Sequence, residues 1–127
     1  MNPVFLTLDE VLAIHLDQLA RHGGLPGVRD LGLLQSALAQ PQATFGGQFL
    51  HKDLIEMAAA YLFYIVQNHA FMDGNKRVGT VAAIVFLDLN GLELNAPEDD
   101  LEALVLSVAQ GTADTAAVAA FLKPHVT

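Results

Sequence analysis

The sequence predicts an all-α fold: one helical bundle over residues 1–127, built around a central buried helix at about 53–68. Three observations carry this. Capping signals followed by apolar residues at helical spacing recur along the chain. One segment, "MAAAYLFYIV" from Met57 to Val66, is apolar on nearly every face, as expected of a helix that others surround. No stretch reads as a convincing buried strand. With 127 residues and 53% hydrophobic content, the expectation is a single domain with an ample core.

The elements follow in order. "TLDE", Thr7 to Glu10, has the form of a capping box, and Val11, Leu12, Leu16 and Leu19 continue an apolar stripe until Gly23 and Gly24 stop it. "GGLPG" is a turn-rich loop. Asp30 caps a second helix over Leu31 to Ala39, which ends before Pro41. "QPQATFGGQF" reads as a loop or short irregular hairpin carrying Phe45 and Phe49. A second box, "DLIE" from Asp53 to Glu56, opens the central helix. The next helix runs from Asn75 or Lys76 to Leu89 and closes at Asn90-Gly91, before the short extended link "LELN". Acidic "PEDDLE" starts a helix at the end where the dipole favours negative charge, with Leu101, Leu104, Val105 and Val108 in period and Gly111 as its stop. A last helix covers Ala113 to Leu122.

Composition excludes several functions. A net charge of -8 argues against direct nucleic-acid or anionic-membrane binding, since neutralising phosphates needs many Lys and Arg. The absence of cysteine removes disulfides, thiolate metal sites and thiol nucleophiles. "MNPVFLTLDE" has neither a basic n-region nor a long apolar h-region, and the ten-residue apolar run is too short to span a bilayer. A cytoplasmic protein is expected.

Against this acidic background, "HAFMDGNKRVG" from His69 to Gly79 gathers two of the six basic residues beside a histidine, a carboxylate and an asparagine. The loop ends where a helix begins, so free backbone N–H groups are presented to an anion. Gly74 lets a phosphate approach that backbone, Asn75 can cap the helix or donate to an oxyanion, and Lys76 and Arg77 add cationic contacts. Cations in a first helical turn run against the dipole, so they call for an anion or a carboxylate partner. Asp73 would repel a bare phosphate, but a Mg²⁺ ion between the two reverses that sign. His69 is suited to accept a proton from a hydroxyl, and Phe71 to anchor the loop. Together these describe phosphoryl or nucleotidyl transfer. On spacing alone the same residues also fit ordinary turn chemistry around "DGN". A P-loop fits less well, because no Lys precedes Thr80 and no strand precedes the loop. His15, His22, His51 and His125 lack ligand-like spacing and read as structural or exposed.

"HAFMDGNKR" resembles the signature of the Fic/Doc family, His-Pro-Phe-x-(Asp/Glu)-Gly-Asn-Gly-Arg, often with a second Arg three residues on. "RHGGLPGVRD", "QPQATFGG" and "FLDLNG" resemble its Doc, or death-on-curing, branch. The resemblance implies a Fic-type bundle with an active-site loop at 69–75. It also implies His69 as general base, Asp73 as the Mg²⁺ ligand, and Gly74, Asn75, Lys76 and Arg77 as the phosphate site for ATP. Phe71 would be the loop anchor, and residues 41–51, with Thr44, Phe45, Gly46 and Gly47, the flap that docks a target peptide beside the active site; read without the resemblance they also fit a plain surface loop.

Departures from the pattern narrow the expectation. Lys76 stands at the second Gly and Thr80 at the second Arg. Full-motif Fic enzymes mostly transfer AMP to protein hydroxyls. Doc-like members share "NKR" and are associated with phosphate transfer from ATP to a translational GTPase, elongation factor Tu. The resemblance therefore implies a toxin kinase, with AMP transfer or a catalytically silent binding module as alternatives. The family's inhibitory (Ser/Thr)-x-x-x-Glu-(Gly/Asn) motif is absent, since "TLDEV" and "SALAQ" fail at the acidic position. The resemblance thus implies a separate antitoxin of the Phd type.

Overall fold

A computed structural model describes residues 2–127. Among them the order is α1 (Leu8–His22), α2 (Leu31–Ala39), a 3-10 turn (Gln40–Gln42), a hairpin of β1 (Thr44–Phe45) and β2 (Gln48–Phe49), α3 (Leu54–Asn68), α4 (Asn75–Leu89), α5 (Glu98–Ala109), α6 (Thr115–Leu122) and a closing 3-10 turn (Lys123–His125). The fold is all-α, with a two-stranded antiparallel hairpin as its only sheet among the described residues.

The core is arranged around α3, which buries Met57 to Leu62, Ile65 and Val66. α4 runs antiparallel to it: Gly79 faces Val66 and Leu62, and one further turn pair along, Phe86 meets Tyr61 at 5.0 Å between ring centroids. The approach is close. A Cβ on Gly79 would lie 2.7 Å from Val66 Cγ2 and 3.1 Å from the Leu62 carbonyl oxygen. α1 packs on α4, and α2, α5 and α6 cover the rest of α3. The short loop between α3 and α4 is thereby fixed at both ends by the two most tightly packed helices.

The capping signals act largely as their sequences suggest. Thr7 accepts from the Glu10 amide while Glu10 accepts from the Thr7 amide, which completes a capping box. Asp30, Asp53 and Asp114 each accept from the amide three residues on. At α3 the box is only half made: Glu56 reaches the Lys52 amide at 3.5 Å rather than that of Asp53. Asp114 at the cap sets the start of α6 at Thr115, two residues later than expected from Ala113. The link "LELN" also does more than connect. Leu94 bridges Val126, and Glu93 and Asn95 exchange backbone bonds with the C-terminal residues.

One expected face is corrected. Leu16 of the proposed α1 stripe is 65% exposed, and the buried residues of α1 are Val11, His15 and Gln18. The helix is rotated so that an imidazole, not Leu16, meets the α3–α4 loop, whose carbonyl needs a donor.

Tyr61 ties the N-terminal segment to the core by accepting from the Leu6 amide at 2.9 Å. Burial pushes its phenol up to about 12, against the Leu6 bond and with help from Glu10. Because the folded state holds this proton more tightly than the unfolded chain, its contribution is complete below the ordinary value of 10.0 and is lost as pH rises towards 12. The expected loss is about 2–3 kcal/mol across that window. Urea titrations from pH 9 to 12 on wild type and Tyr61→Phe check this, the variant losing less stability over the same range.

Candidate active site

The site is built on the loop between α3 and α4. α3 ends at His69, whose φ of 52° and ψ of 44° make it the only non-glycine residue with positive φ among those described. Left-handed backbone outside glycine costs on the order of 1 kcal/mol or more, so surrounding contacts must hold it. Gly74, at φ 84°, then turns the chain into α4. Between them Ala70 and Phe71 are buried, while His69, Met72 and Asp73 are exposed.

Asn75 organises this loop from inside. It is 4% exposed, its Oδ1 accepts from the Phe71 amide at 3.0 Å, and its Nδ2 donates to the Phe71 carbonyl at 3.1 Å. The same Nδ2 lies 2.8 Å from His69 Nδ1. Reversing the amide would set N–H against N–H and O against O at Phe71, so its orientation is assigned by that backbone. His69 Nδ1 therefore accepts, and the neutral ring carries its proton on Nε2. With the side chain so engaged, what Asn75 leaves for an anion is its backbone N–H.

Two further groups brace the loop from α1 and from the segment between α1 and α2. His15, 3% exposed, stacks on Phe71 at 4.0 Å between centroids, and its Nε2 donates to the Asp73 carbonyl at 3.0 Å. Residues 24–30 run beside the loop: Val28 bridges Phe71, the amides of Arg29 and Asp30 donate to Ala70, and Met72 donates to Gly27. The Asp73 carboxylate accepts from the amides of Leu25 (3.3 Å) and Gly74 (2.9 Å). Gly24 is required for this approach. At φ +123°, any Cβ there would sit 2.9 Å from Asp73 Oδ2.

On the outer side, the first-turn amides of Asn75, Lys76 and Arg77 have no partner among the described residues. Lys76 and Arg77 are exposed, and the one ion pair among described residues is Arg21–Asp17, on α1. The carboxylate partner that would have satisfied these cations is thus not supplied from within. Thr80 turns its hydroxyl to the Lys76 carbonyl and offers no charge. A cavity of about 240 Å³ is bounded by His69, Asp73, Gly74, Asn75, Lys76 and Arg77, with Val66, Met72 and Ala109 as apolar walls. Three free amides at a helix N-terminus plus two cations can bind an oxyanion, and the exposed carboxylate beside them can hold a divalent cation.

Lys76 and Arg77 also line a larger groove of about 560 Å³, floored by Ile84, Leu101, Val105 and Leu106 and rimmed by Glu98 and Glu102. The flap residues Thr44, Phe45, Gly46 and Gly47 make up β1 and the turn of the β1–β2 hairpin. Their hairpin packs through Phe49 on Phe5, which in turn stacks on Phe86 of α4. None of the four lines the His69 cavity, and Phe45 is 82% exposed. His15, Arg29 and Gly24 are the site residues that motif reading passes over, because their partners are loop carbonyls and a carboxylate some 40–60 positions away.

The fold and this loop define a helical domain that displays a histidine beside a helix N-terminus with unpartnered amides. The profile of the Fic/DOC family matches residues 5–87, and the chain belongs to that family. It is 44% identical over 102 residues to a protein named Toxin Doc from Mycolicibacterium smegmatis, covering 79% of this chain and 78% of that one. It is 34% identical over 116 residues to a protein named Protein kinase doc from Escherichia phage P1, covering 91% and 90%.

Proposed function

We propose that this chain is a Doc-type toxin that transfers the γ-phosphoryl group of ATP to a hydroxyl on a protein, with a translational GTPase such as elongation factor Tu as the target class. The observation that carries the reading is the set of unpartnered first-turn amides, with Lys76 and Arg77 beside them and His69 fixed at the other end of the same loop. The names of the two relatives, a toxin and a protein kinase, agree with it.

In this mechanism the amides of Asn75, Lys76 and Arg77 and the two side chains bind phosphate oxygens and stabilise charge in transfer. The target hydroxyl oxygen attacks the γ-phosphorus, the bond to the β-phosphate oxygen breaks, ADP departs, and His69 takes the hydroxyl proton. The resting ring offers its lone pair at Nδ1, where Asn75 now donates. Either route gives up the Asn75 bond: the hydroxyl takes the place of Nδ2 at Nδ1, or the ring moves its proton to Nδ1, turns away from Nδ2 and receives at Nε2. The Asp73 carboxylate fits a Mg²⁺ ion that takes few protein ligands, since each of its oxygens accepts one amide and keeps a lone pair. Asp73 would hold that ion, which supplies charge neutralisation between phosphates. Exposed Phe45 at the hairpin supports the flap as a docking edge for the target.

Lys76 favours phosphoryl over AMP transfer because a long side chain occupies the place where the pattern has Gly, and Thr80 supplies no second cation. Labelling a bacterial lysate and purified elongation factor Tu with γ-³²P-ATP and α-³²P-ATP tests this. The expected result is Mg²⁺-dependent label from the γ position only, reduced about 10²–10⁴-fold in His69→Ala. Label from the α position would make the chain an AMP transferase, and no label a binding module.

The proposed partner is an antitoxin of the Phd type, whose segment folds as a helix into the larger groove beside Lys76 and Arg77. Its apolar floor and opposed charged rims suit an amphipathic helix. Expressed alone in bacteria, the chain is expected to arrest growth and His69→Ala to be tolerated. Normal growth with abundant folded wild-type protein would overturn the toxin reading.

A further inference from the structure

His69 is both the residue whose ring must be aimed and the one non-glycine residue with a left-handed backbone among those described. Its ring is held by Asn75, but Asn75 does not touch its carbonyl. That carbonyl, at the negative end of the α3 dipole, accepts from two nitrogens of one side chain: Arg29 Nε at 2.8 Å and Nη2 at 2.6 Å. Nη2 also reaches the Asn68 carbonyl at 3.5 Å. A guanidinium is the side chain able to place two parallel donors there, and its charge opposes the dipole of the helix end. Arg29 is itself fixed, because its amide donates to Ala70 at 2.7 Å and its neighbour Val28 bridges Phe71. It forms no ion pair with any described carboxylate, so this is the engagement its charge has within the chain.

We infer that Arg29 is a positioning residue for His69: it holds the left-handed turn that aims the imidazole, without itself touching the reacting atoms. The assignment of a catalytic purpose rests on the reading of His69 as the base. The mechanical claim, that Arg29 sets the His69 backbone, does not. An Arg merely capping α3 would change stability and leave the His69 turn and the turnover rate of folded protein as they are.

The test compares wild type, Arg29→Ala and Arg29→Lys in the full chain. Backbone ¹³Cα and carbonyl shifts report whether His69 stays left-handed, and steady-state γ-phosphate transfer separates kcat from the KM for ATP. In Arg29→Ala the His69 shifts are expected to leave left-handed values while those of the α3 and α4 interiors hold. kcat should fall about 10- to 100-fold at unchanged KM, the penalty typical of a displaced catalytic group. Added guanidinium should restore part of both, and Arg29→Lys, with one point donor, should fall between. Unchanged His69 shifts in Arg29→Ala would overturn the inference, as would a rise in KM at constant kcat, which would make Arg29 a nucleotide ligand. Absent transfer by wild type in the same assay would refute the kinase reading instead, and the shifts would still decide the positioning claim.

Discussion

The site depends on one buried amide. Asn75 binds both the N–H and the C=O of Phe71 and turns its remaining donor to His69, so a single side chain fixes the loop, the ring and the start of α4. Buried hydrogen bonds of this kind are worth only about 1 kcal/mol each in net stability, but leaving their partners unmade costs about 1–3. The constraint is therefore stronger than its contribution to folding. With the Asn75 side chain turned inward, the helix N-terminus faces outward with its amides unspent. An inward clamp and an outward anion site are two consequences of the same residue standing at the first position of α4.

The packing around it serves that arrangement. Gly79 lets α4 lie close on α3, which keeps the loop short. Phe71 is pinned between His15 and the core, and the 24–30 segment lies alongside like an added strand. The charge distribution follows the same logic. Asp73 is held by two amides rather than by Lys76 or Arg77, so carboxylate and cations stay available to ligands instead of neutralising one another.

Much of this was legible in the sequence. The helices follow from capping residues and apolar spacing, which are local signals, and the loop ahead of α4 follows from the density of chemical groups at 69–77, on a helix boundary. The burial of His15 and Gln18 in place of Leu16 was not legible, because periodicity counts apolar residues and cannot know that a distant carbonyl wants a donor. "GGLPG" read as a turn-rich loop for the same reason: the segment from Gly27 to Asp30 pairs with residues about 40 positions later. The half-made box at Asp53 shows the limit of a local motif too, since a one-residue shift of the Glu56 side chain redirects the bond. Where the sequence placed cations against a helix dipole, the structure leaves Lys76 and Arg77 without a carboxylate partner among the described residues.

The central claim is that the loop is organised by Asn75 before any ligand arrives. Amide hydrogen exchange on the ligand-free chain tests it most directly, residue by residue, in wild type and Asn75→Ala. The Phe71 amide is expected to be protected to nearly the level of the α3 interior, those of Lys76 and Arg77 to exchange freely, and Asn75→Ala to abolish the protection of Phe71 while α3 keeps its own. Exchange of Phe71 as fast as that of Lys76 in the wild-type chain would contradict it.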